Sequence, residues 1–319
     1  MTGLLPVAHP VAALALRRLA LVPPVLLVAS AVVFCLPRLL GGNVTRSVIR
    51  SRSLASAPDP AAEARLAAEL GLDRPLREQY LAWLAGALRG DLGRSFTTRA
   101  PVAPDVLGAT GVSGVLALLA LAVALAVGLP AGVLAADRPG RVVDRAVDRV
   151  GAVALAVPEF VVGPALVLVV AVWAGWLPAL GWGTADRAVL PVLTLALFPA
   201  ALAARLVRAE TRVALAHPST ATAVAKGLSR RRVLGVHVLP RSLTAVLAEA
   251  GPFLTGTLGG AVVVEVVFDV PGLGRTLAEA IGSRDLPTIQ AGLVVVLAVA
   301  MLLTLATELA GRALDPRSR

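Results

Sequence analysis

The sequence predicts an all-α integral membrane protein with six transmembrane helices. Its 319 residues are 57% hydrophobic, and the mean hydropathy of +0.82 places the chain among membrane proteins before any motif is read. Six apolar stretches each reach the roughly 20 residues that a bilayer core requires of a helix. Basic residues gather mostly beside these stretches. Ala, Val and Leu fill the runs, aromatic residues make up only 3%, and Lys226 is the only lysine.

The spans follow in order at residues 19–40, 112–136, 150–173, 189–207, 243–268 and 288–309. Pro23, Pro24, Pro130, Pro158 and Pro164 lie in or near them. In water these prolines would argue against helix, whereas in a membrane bundle neighbouring helices satisfy the freed backbone groups. Arg17 and Arg18 precede the first span, and Arg138, Arg141, Arg145 and Arg149 separate the second from the third. Arg208, Arg212, Lys226, Arg230, Arg231, Arg232 and Arg241 separate the fourth from the fifth, and Arg312, Arg317 and Arg319 follow the sixth. With six spans all these flanks fall on one side. The positive-inside rule makes that side the cytoplasm, with both termini inside. Arg17-Arg18 before an apolar run also fits a signal peptide. The run is long, however, and the A-x-A-like Ala55-Ser56-Ala57 lies well beyond it, so an uncleaved first span is expected.

The opposite side holds residues 41–109, a long segment whose arginines are interspersed with acids. Residues 61–70 read as a short amphipathic helix, with Asp59 as its cap and Leu66 and Leu70 on one face. Gly71 to Pro75 stops it and restarts a second helix, in which Leu76, Tyr80, Leu81, Leu84 and Leu88 recur at helical spacing. Gly90 to Gly93 breaks that helix. The segment is expected to be a small folded cap, which packs over the bundle mouth, docks a delivery protein, or does both.

Several function classes are excluded. The formal charge of +10 comes without the aromatic and basic interleaving that stacks bases, so no nucleic-acid partner is expected. Cys35 is the only cysteine, which rules out an intrachain disulfide and a cysteine-based metal site. His9, His217 and His237 are far apart, and no metal site is expected. No Ser-His-Asp set, His-Glu-x-x-His or phosphate-binding Gly-Lys-Ser/Thr loop is present, so no catalytic residue and no bound cofactor are expected.

At this point the residues carry a family resemblance along nearly the whole chain. They run from Arg17-Arg18-Leu19 through Pro24, Ser30 and Phe34 to Leu70–Leu76, Gln79-Tyr80, Trp83 and Arg89–Ser95. They continue in Pro158, Gly175–Pro178, Pro191–Leu195 and Ala225-Lys226-Gly227-Leu228-Ser229. The last are Gly259-Gly260, Glu265, Val267-Phe268, Pro271–Gly274 and Leu314-Asp315-Pro316. Each is weak alone, but their order and spacing are specific. The chain resembles the first-type permease subunit of bacterial ABC importers for dipeptides, oligopeptides and nickel.

That resemblance implies the ABC type I importer (MetI-like) permease fold with an external helical cap between helices 1 and 2. The implied division is a cytoplasmic N-terminus and first span at 1–40, the cap at 41–109, the type-1 transmembrane domain at 110–312 and a cytoplasmic tail at 313–319. It implies a transport subunit rather than an enzyme, translocating peptides across the bacterial cytoplasmic membrane by alternating access. The implied partners are a second homologous permease, two ATPase subunits that bind ATP and magnesium, an extracytoplasmic solute-binding protein and membrane lipid. A nickel or metal-chelate importer shares the same motifs, and a non-transporting membrane scaffold or sensor is the remaining alternative.

The resemblance also implies that residues 209–242 hold the loop that couples the permease to its ATPase. A helix near residues 219–226, carrying Ala221, Ala223, Ala225 and Lys226, would lie in a groove of that partner. Gly227 is expected to reverse the chain with a positive φ, which glycine adopts without steric cost. Leu228 is the expected hydrophobic contact after the turn, Ser229 the cap of a next helix at 230–238, and Pro240 its end or kink. A basic loop anchored by lipid headgroups is the alternative reading of the charge. The match departs from the family at Ala221, where an acidic or polar residue is common, at His217-Pro218, and at Gly41–Val44, where a Pro-Gly-Asp-Pro-like turn is usual.

Ionisable residues at membrane depth usually face the bundle interior or water. Glu159, Glu249 and Glu265 fall in or near spans. Glu249 either lines the translocation path or pairs with Arg205 or Arg208. Glu265 either lines a gate, pairs with a basic neighbour, or is wetted at the interface. Gly256-x-x-x-Gly260 permits close helix approach, and dimer packing is its expected use. Trp173, Trp176 and Trp182, with Pro178, are expected in an external interfacial belt.

Overall fold

The computed structural model describes residues 10–39, 60–69, 71, 73–240, 242, 253, 256 and 261–314. The described residues form helices, and a single antiparallel bridge joins Arg94 to Pro101. In chain order the helices are α1 (Pro10–Leu39), α2 (Pro60–Glu69), α3 (Leu76–Ala87), α4 (Val102–Asp137), α5 (Val142–Ala156) and α6 (Glu159–Leu166). Then come α7 (Ala185–Ala216), α8 (Pro218–Ala225), α9 (Arg230–Arg232), α10 (Leu273–Ser283) and α11 (Leu286–Leu314). Residues 261–267 are also helical. Among the described residues four helices are long and apolar enough to cross a membrane, or five if α5 and the bent-back stretch Glu159–Trp173 are counted as one span. Most of the expected fifth span, 243–268, lies outside the described residues, as do Gly41–Val44, Ala55–Ala57, Asp59, Leu70, Glu249, Gly259 and Gly260.

The chain divides into two compact units. In the first, which includes Gly114–Val270, helices α4 and α7 approach closely at glycine. A Cβ built on Gly132 would stand 2.6 Å from the Ala204 carbonyl oxygen and 2.7 Å from Val207 Cβ, and one on Gly128 would stand 2.8 Å from both Ala200 O and Ala203 Cβ. Two glycines four apart therefore let one backbone rest on the small residues of the other, the packing that membrane helices use where apolar burial gives little drive. Farther along α7, Thr194 is buried, 3.6 Å from a Cβ built on Gly163, and returns its hydroxyl to the Leu190 carbonyl at 2.8 Å.

The stretch expected as one span at 150–173 is not straight. Helix α5 ends at Ala156, and α6 leaves it at an angle of 102°. Val157 is extended (φ −90°, ψ 118°) because the following Pro158 crowds the helical region of its predecessor. Beyond α6 the helix widens into a π-helical segment, Val167–Trp173. Trp173 and Trp176 are 72% and 79% exposed. The loop after them is tied back by Gly181 (φ +105°), whose amide donates to the Phe268 carbonyl at 2.7 Å.

The second unit includes Leu16–Ser113 and Pro271–Met301. Its α3 packs on α1 through an aromatic group. Tyr80 Oη lies 3.0 Å from Ser30 Oγ and donates to the Leu27 carbonyl at 3.1 Å. The Phe34 ring stands edge-on to Tyr80 at 5.5 Å. A separate core joins Val102, Val106, Ala109, Leu273, Leu277 and Ala291. At the start of α10 the Leu273 amide donates to Ser113 Oγ at 2.8 Å. The expected helix stops are present, with Gly71, Gly90 and Gly93 at φ +65°, +85° and +92°.

Candidate functional site

The basic segment between α7 and residue 242 folds as a helical hairpin. His217 starts α8 in place of an acid: its Nδ1 accepts the Ser219 amide at 3.2 Å and lies 2.9 Å from Ser219 Oγ. Pro218 occupies the first turn, where a missing N–H costs nothing. The departure from the family at His217-Pro218 is thus a working helix start. Thr220 is buried and donates to the Ala214 carbonyl at 2.7 Å, fastening α8 to the end of α7.

The other end of α8 is a Schellman reversal. Gly227 has φ +77°. Its amide donates to Val224 O at 2.9 Å, and the Leu228 amide donates to Ala223 O at 3.2 Å, the bond pair that closes such a cap. The expected contact of Leu228 is present, since it packs on a core of Ala214, Ala223, Val233 and Val238. One face of α8, Thr220 and Ala223, is therefore buried, while Ala221, Thr222, Val224, Ala225 and Lys226 are exposed.

Two details of the following helix differ from expectation. Ser229 sits at the N-cap position, but its side chain makes no capping bond; only its carbonyl accepts, from the Val233 amide at 3.0 Å. Of the two outcomes expected of Pro240, an end or a kink, the end is not found, because Leu239, Pro240 and Ser242 are helical. The turn before it, Val233–Val238, is π-helical, and this wider turn relieves the clash a proline ring makes with the carbonyl four residues back. Ser242 Oγ lies 3.0 Å from Thr211 Oγ1 in the buried seam with α7.

Acidic residues that sequence reasoning passed over hold this region together. Asp137 ends α4 and receives Arg230, with Nη2 2.7 Å from Oδ1. Asp144 in α5 accepts the Gly140 amide at 2.7 Å and lies 2.6 Å from Arg208 Nε and 2.9 Å from Arg212 Nη2. Arg208 also reaches Asp148 at 3.2 Å. The signal was present as two i,i+4 pairs, Asp144 with Asp148 and Arg208 with Arg212, each on one face of its helix. Arg208 is thereby engaged by two aspartates, and the Arg205 side chain lies 3.5 Å from a Cβ built on Gly151.

The remaining candidates are dispersed. Glu265 is fully enclosed at 0% exposure, so it is not the wetted helix-end residue that one reading expected. Glu159 opens α6 and is partly buried. Gly256 is exposed, with nothing within 4 Å of a built Cβ. Among the described residues no group of three or more His, Cys, Asp or Glu gathers as a metal site.

Residues 128–319 match the family described as binding-protein-dependent transport system inner membrane component. A probable peptide ABC transporter permease protein of Sinorhizobium fredii is 35% identical over 264 residues, covering 80% of this chain and 84% of the relative. The dipeptide transport system permease protein of Escherichia coli K12 is 30% identical over 335 residues, covering 95% of this chain and 98% of the relative. Among solved structures, a chain of the MetNI methionine ABC transporter in inward-facing conformation superposes with a TM-score of 0.55 at 19% identity, over 66% of this chain and 96% of that one; this likeness shows a shared fold. The chain belongs to the family of binding-protein-dependent transport system inner membrane components.

Proposed function

We propose that this chain is the transmembrane permease subunit of an ATP-driven ABC importer that moves di- or oligopeptides across the bacterial cytoplasmic membrane. An extracytoplasmic solute-binding protein delivers the peptide, and two ATPase subunits, which carry ATP and magnesium, supply the work. A second homologous permease completes the path, with six spans, both termini cytoplasmic and residues 41–109 as an external cap. The type-1 domain occupies residues 110–312. The names of the relatives favour peptides over a nickel or metal-chelate cargo.

The observation that carries the reading is the rigid mounting of α8. Its outer face presents Ala221, Thr222, Val224 and Ala225, short side chains that fit a shallow groove, with Lys226 and, just beyond the turn, Arg230, Arg231 and Arg232 exposed beside them. Its inner face is fixed to α7 by Thr220 and by the core of Ala214, Ala223, Val233 and Val238. When the ATPase grooves close together, α8 cannot swing independently. Displacement passes into α7 and into the helix after Ser229, and the permease halves rock to expose the path alternately to each side. Glu249 and Glu265 are the candidates for the path or gate, and Gly256 and Gly260 for packing between subunits.

The test is peptide uptake and ATP hydrolysis by the reconstituted complex, compared between the wild type and a Gly227→Val variant. Stimulated hydrolysis with coupled uptake is expected of the wild type, and loss of coupling of the variant.

A further inference from the structure

The bend between α5 and α6 leaves an open groove of about 400 Å³ between its two arms. Val150 and Val153 of α5, Val157 at the bend, Val161 and Ala165 of α6, and Leu197 of α7 line it. Every lining residue is Val, Ala or Leu, and Val150, Val153 and Val161 are exposed. Pro158 keeps the chain from continuing straight, so two apolar helix faces meet at an angle and cannot close on each other.

Positive charge gathers at one end of this groove. Helices α5 and α7 run in opposite senses there: Asp144 meets Arg208 and Arg212, and the Arg205 Cδ lies 3.5 Å from a Cβ built on Gly151. On α5 itself Arg149 stands one turn before Val153, and Arg145 one turn before Arg149, so both lie along the groove edge of the helix. Both are exposed, as is Arg205. The acids at this end are already engaged. Asp144 and Asp148 are held by Arg208 and Arg212, and Asp137 by Arg230. Glu210 lies two residues from both Arg208 and Arg212, and so on another side of α7. Among the described residues none of Arg145, Arg149 and Arg205 forms an ion pair.

An acyl chain suits this lining. A peptide laid in the groove would leave its amides without hydrogen-bond partners, which is costly in an apolar site. An apolar helix would fill the groove but give the arginines nothing. A phospholipid with an anionic headgroup supplies both parts: a chain for the valines, and a phosphate whose geometry guanidinium groups match. Basic pockets beside membrane helices bind such headgroups.

We propose that the elbow between α5 and α6 is a binding site for one anionic phospholipid of the bilayer, with an acyl chain in the valine groove and the phosphate held by Arg145 and Arg149, Arg205 adding charge beside them. The site requires that the chain lie in a membrane and is independent of what it transports.

The test uses the complete complex in nanodiscs and two photoactivatable lipids, a phosphatidylglycerol and a phosphatidylcholine that carry the same diazirine-bearing acyl chain. Mass spectrometry reads which peptides are labelled. Phosphatidylglycerol is expected to label residues 150–169 about tenfold more than phosphatidylcholine does. Arg145→Gln with Arg149→Gln is expected to bring the two lipids to similar labelling, and Arg145→Lys with Arg149→Lys to keep most of the preference. Val161→Trp fills the groove without touching a charge, and is expected to lower phosphatidylglycerol labelling to the phosphatidylcholine level. All three positions are exposed, so the thermal midpoints are expected to stay near the wild type. Equal labelling by the two lipids in the wild type overturns the proposal and leaves only solvating lipid. A preference that survives the glutamine pair overturns it as well. So does labelling of the isolated chain that vanishes in the complex, since a second permease would then cover the groove.

Discussion

Arg230 grips Asp137 with two nitrogens, Nε and Nη2, each 2.7 Å from Oδ1. The aspartate ends α4, where a negative charge opposes the helix dipole, and the arginine opens the helix that follows the Gly227 reversal. The pair thus joins the end of one long helix to the hairpin that carries α8. Arg230 is 53% exposed, so the pair contributes only about 0–1 kcal/mol to stability. Asp137→Asn is expected to leave the melting temperature nearly unchanged and to lower the peptide transported per ATP hydrolysed. Uptake and hydrolysis measured in the same proteoliposomes check this.

Gly132 gives the sharpest packing prediction. With backbone and Cβ atoms of α7 already at 2.6 and 2.7 Å from a built Cβ, Gly132→Val must push the helices apart, at a cost of roughly 1–3 kcal/mol or more. A clear drop in the thermal midpoint of the purified protein is expected. Gly114→Ala, with nothing within 4 Å, is the matched control and is expected to be neutral or slightly stabilising, since glycine within a helix costs about 0.5–1 kcal/mol relative to alanine.

Gly227 separates space from backbone conformation. Nothing lies within 4 Å of a built Cβ there, so size alone is tolerated, whereas φ +77° is not. Gly227→Asn, which accepts left-handed backbone, should keep most transport, and Gly227→Val should lose it. The β-branched residue costs about 1–2 kcal/mol in this conformation and unwinds the cap instead. Equal transport by the two variants would show that the reversal is irrelevant.

Asp285→Ala is expected to destabilise the second unit by roughly 1–3 kcal/mol, because the buried Ser95 and the Phe96 amide lose their acceptor. The effect should be local. Amide exchange within residues 94–101 is expected to accelerate, while amides of α8 are unchanged. Mass-spectrometric exchange on the whole protein reads both.

Long apolar runs made α1, α4, α7 and α11 legible in the sequence, and the glycine after Lys226 made the end of α8 legible. In each case one local rule, hydropathy or left-handed backbone, decides the outcome. The bend at Val157 was not read, because a proline in an apolar run fits either a tolerated kink or a break, and tertiary packing chooses between them. The Gly128 and Gly132 approach was missed because its partner surface lies some 70 residues away. The partners of Arg208, Arg212 and Arg230 were missed for a related reason. The arginines were read for the side of the membrane they mark, while Asp137, Asp144 and Asp148 were passed over. Glu265 was singled out as a gate or interface residue, but its enclosure depends on neighbours that no local pattern names.

The central claim, that this chain couples a partner's ATP hydrolysis to peptide import through α8, is tested most directly by one measurement. Labelled dipeptide accumulated inside proteoliposomes that hold the complete complex is followed together with phosphate release, for the wild type and for Gly227→Val. The account predicts ATP-dependent accumulation by the wild type, and a variant that either hydrolyses ATP without accumulating peptide or fails to retain its ATPase. Full accumulation by Gly227→Val, at the wild-type ratio of peptide to phosphate, would contradict it.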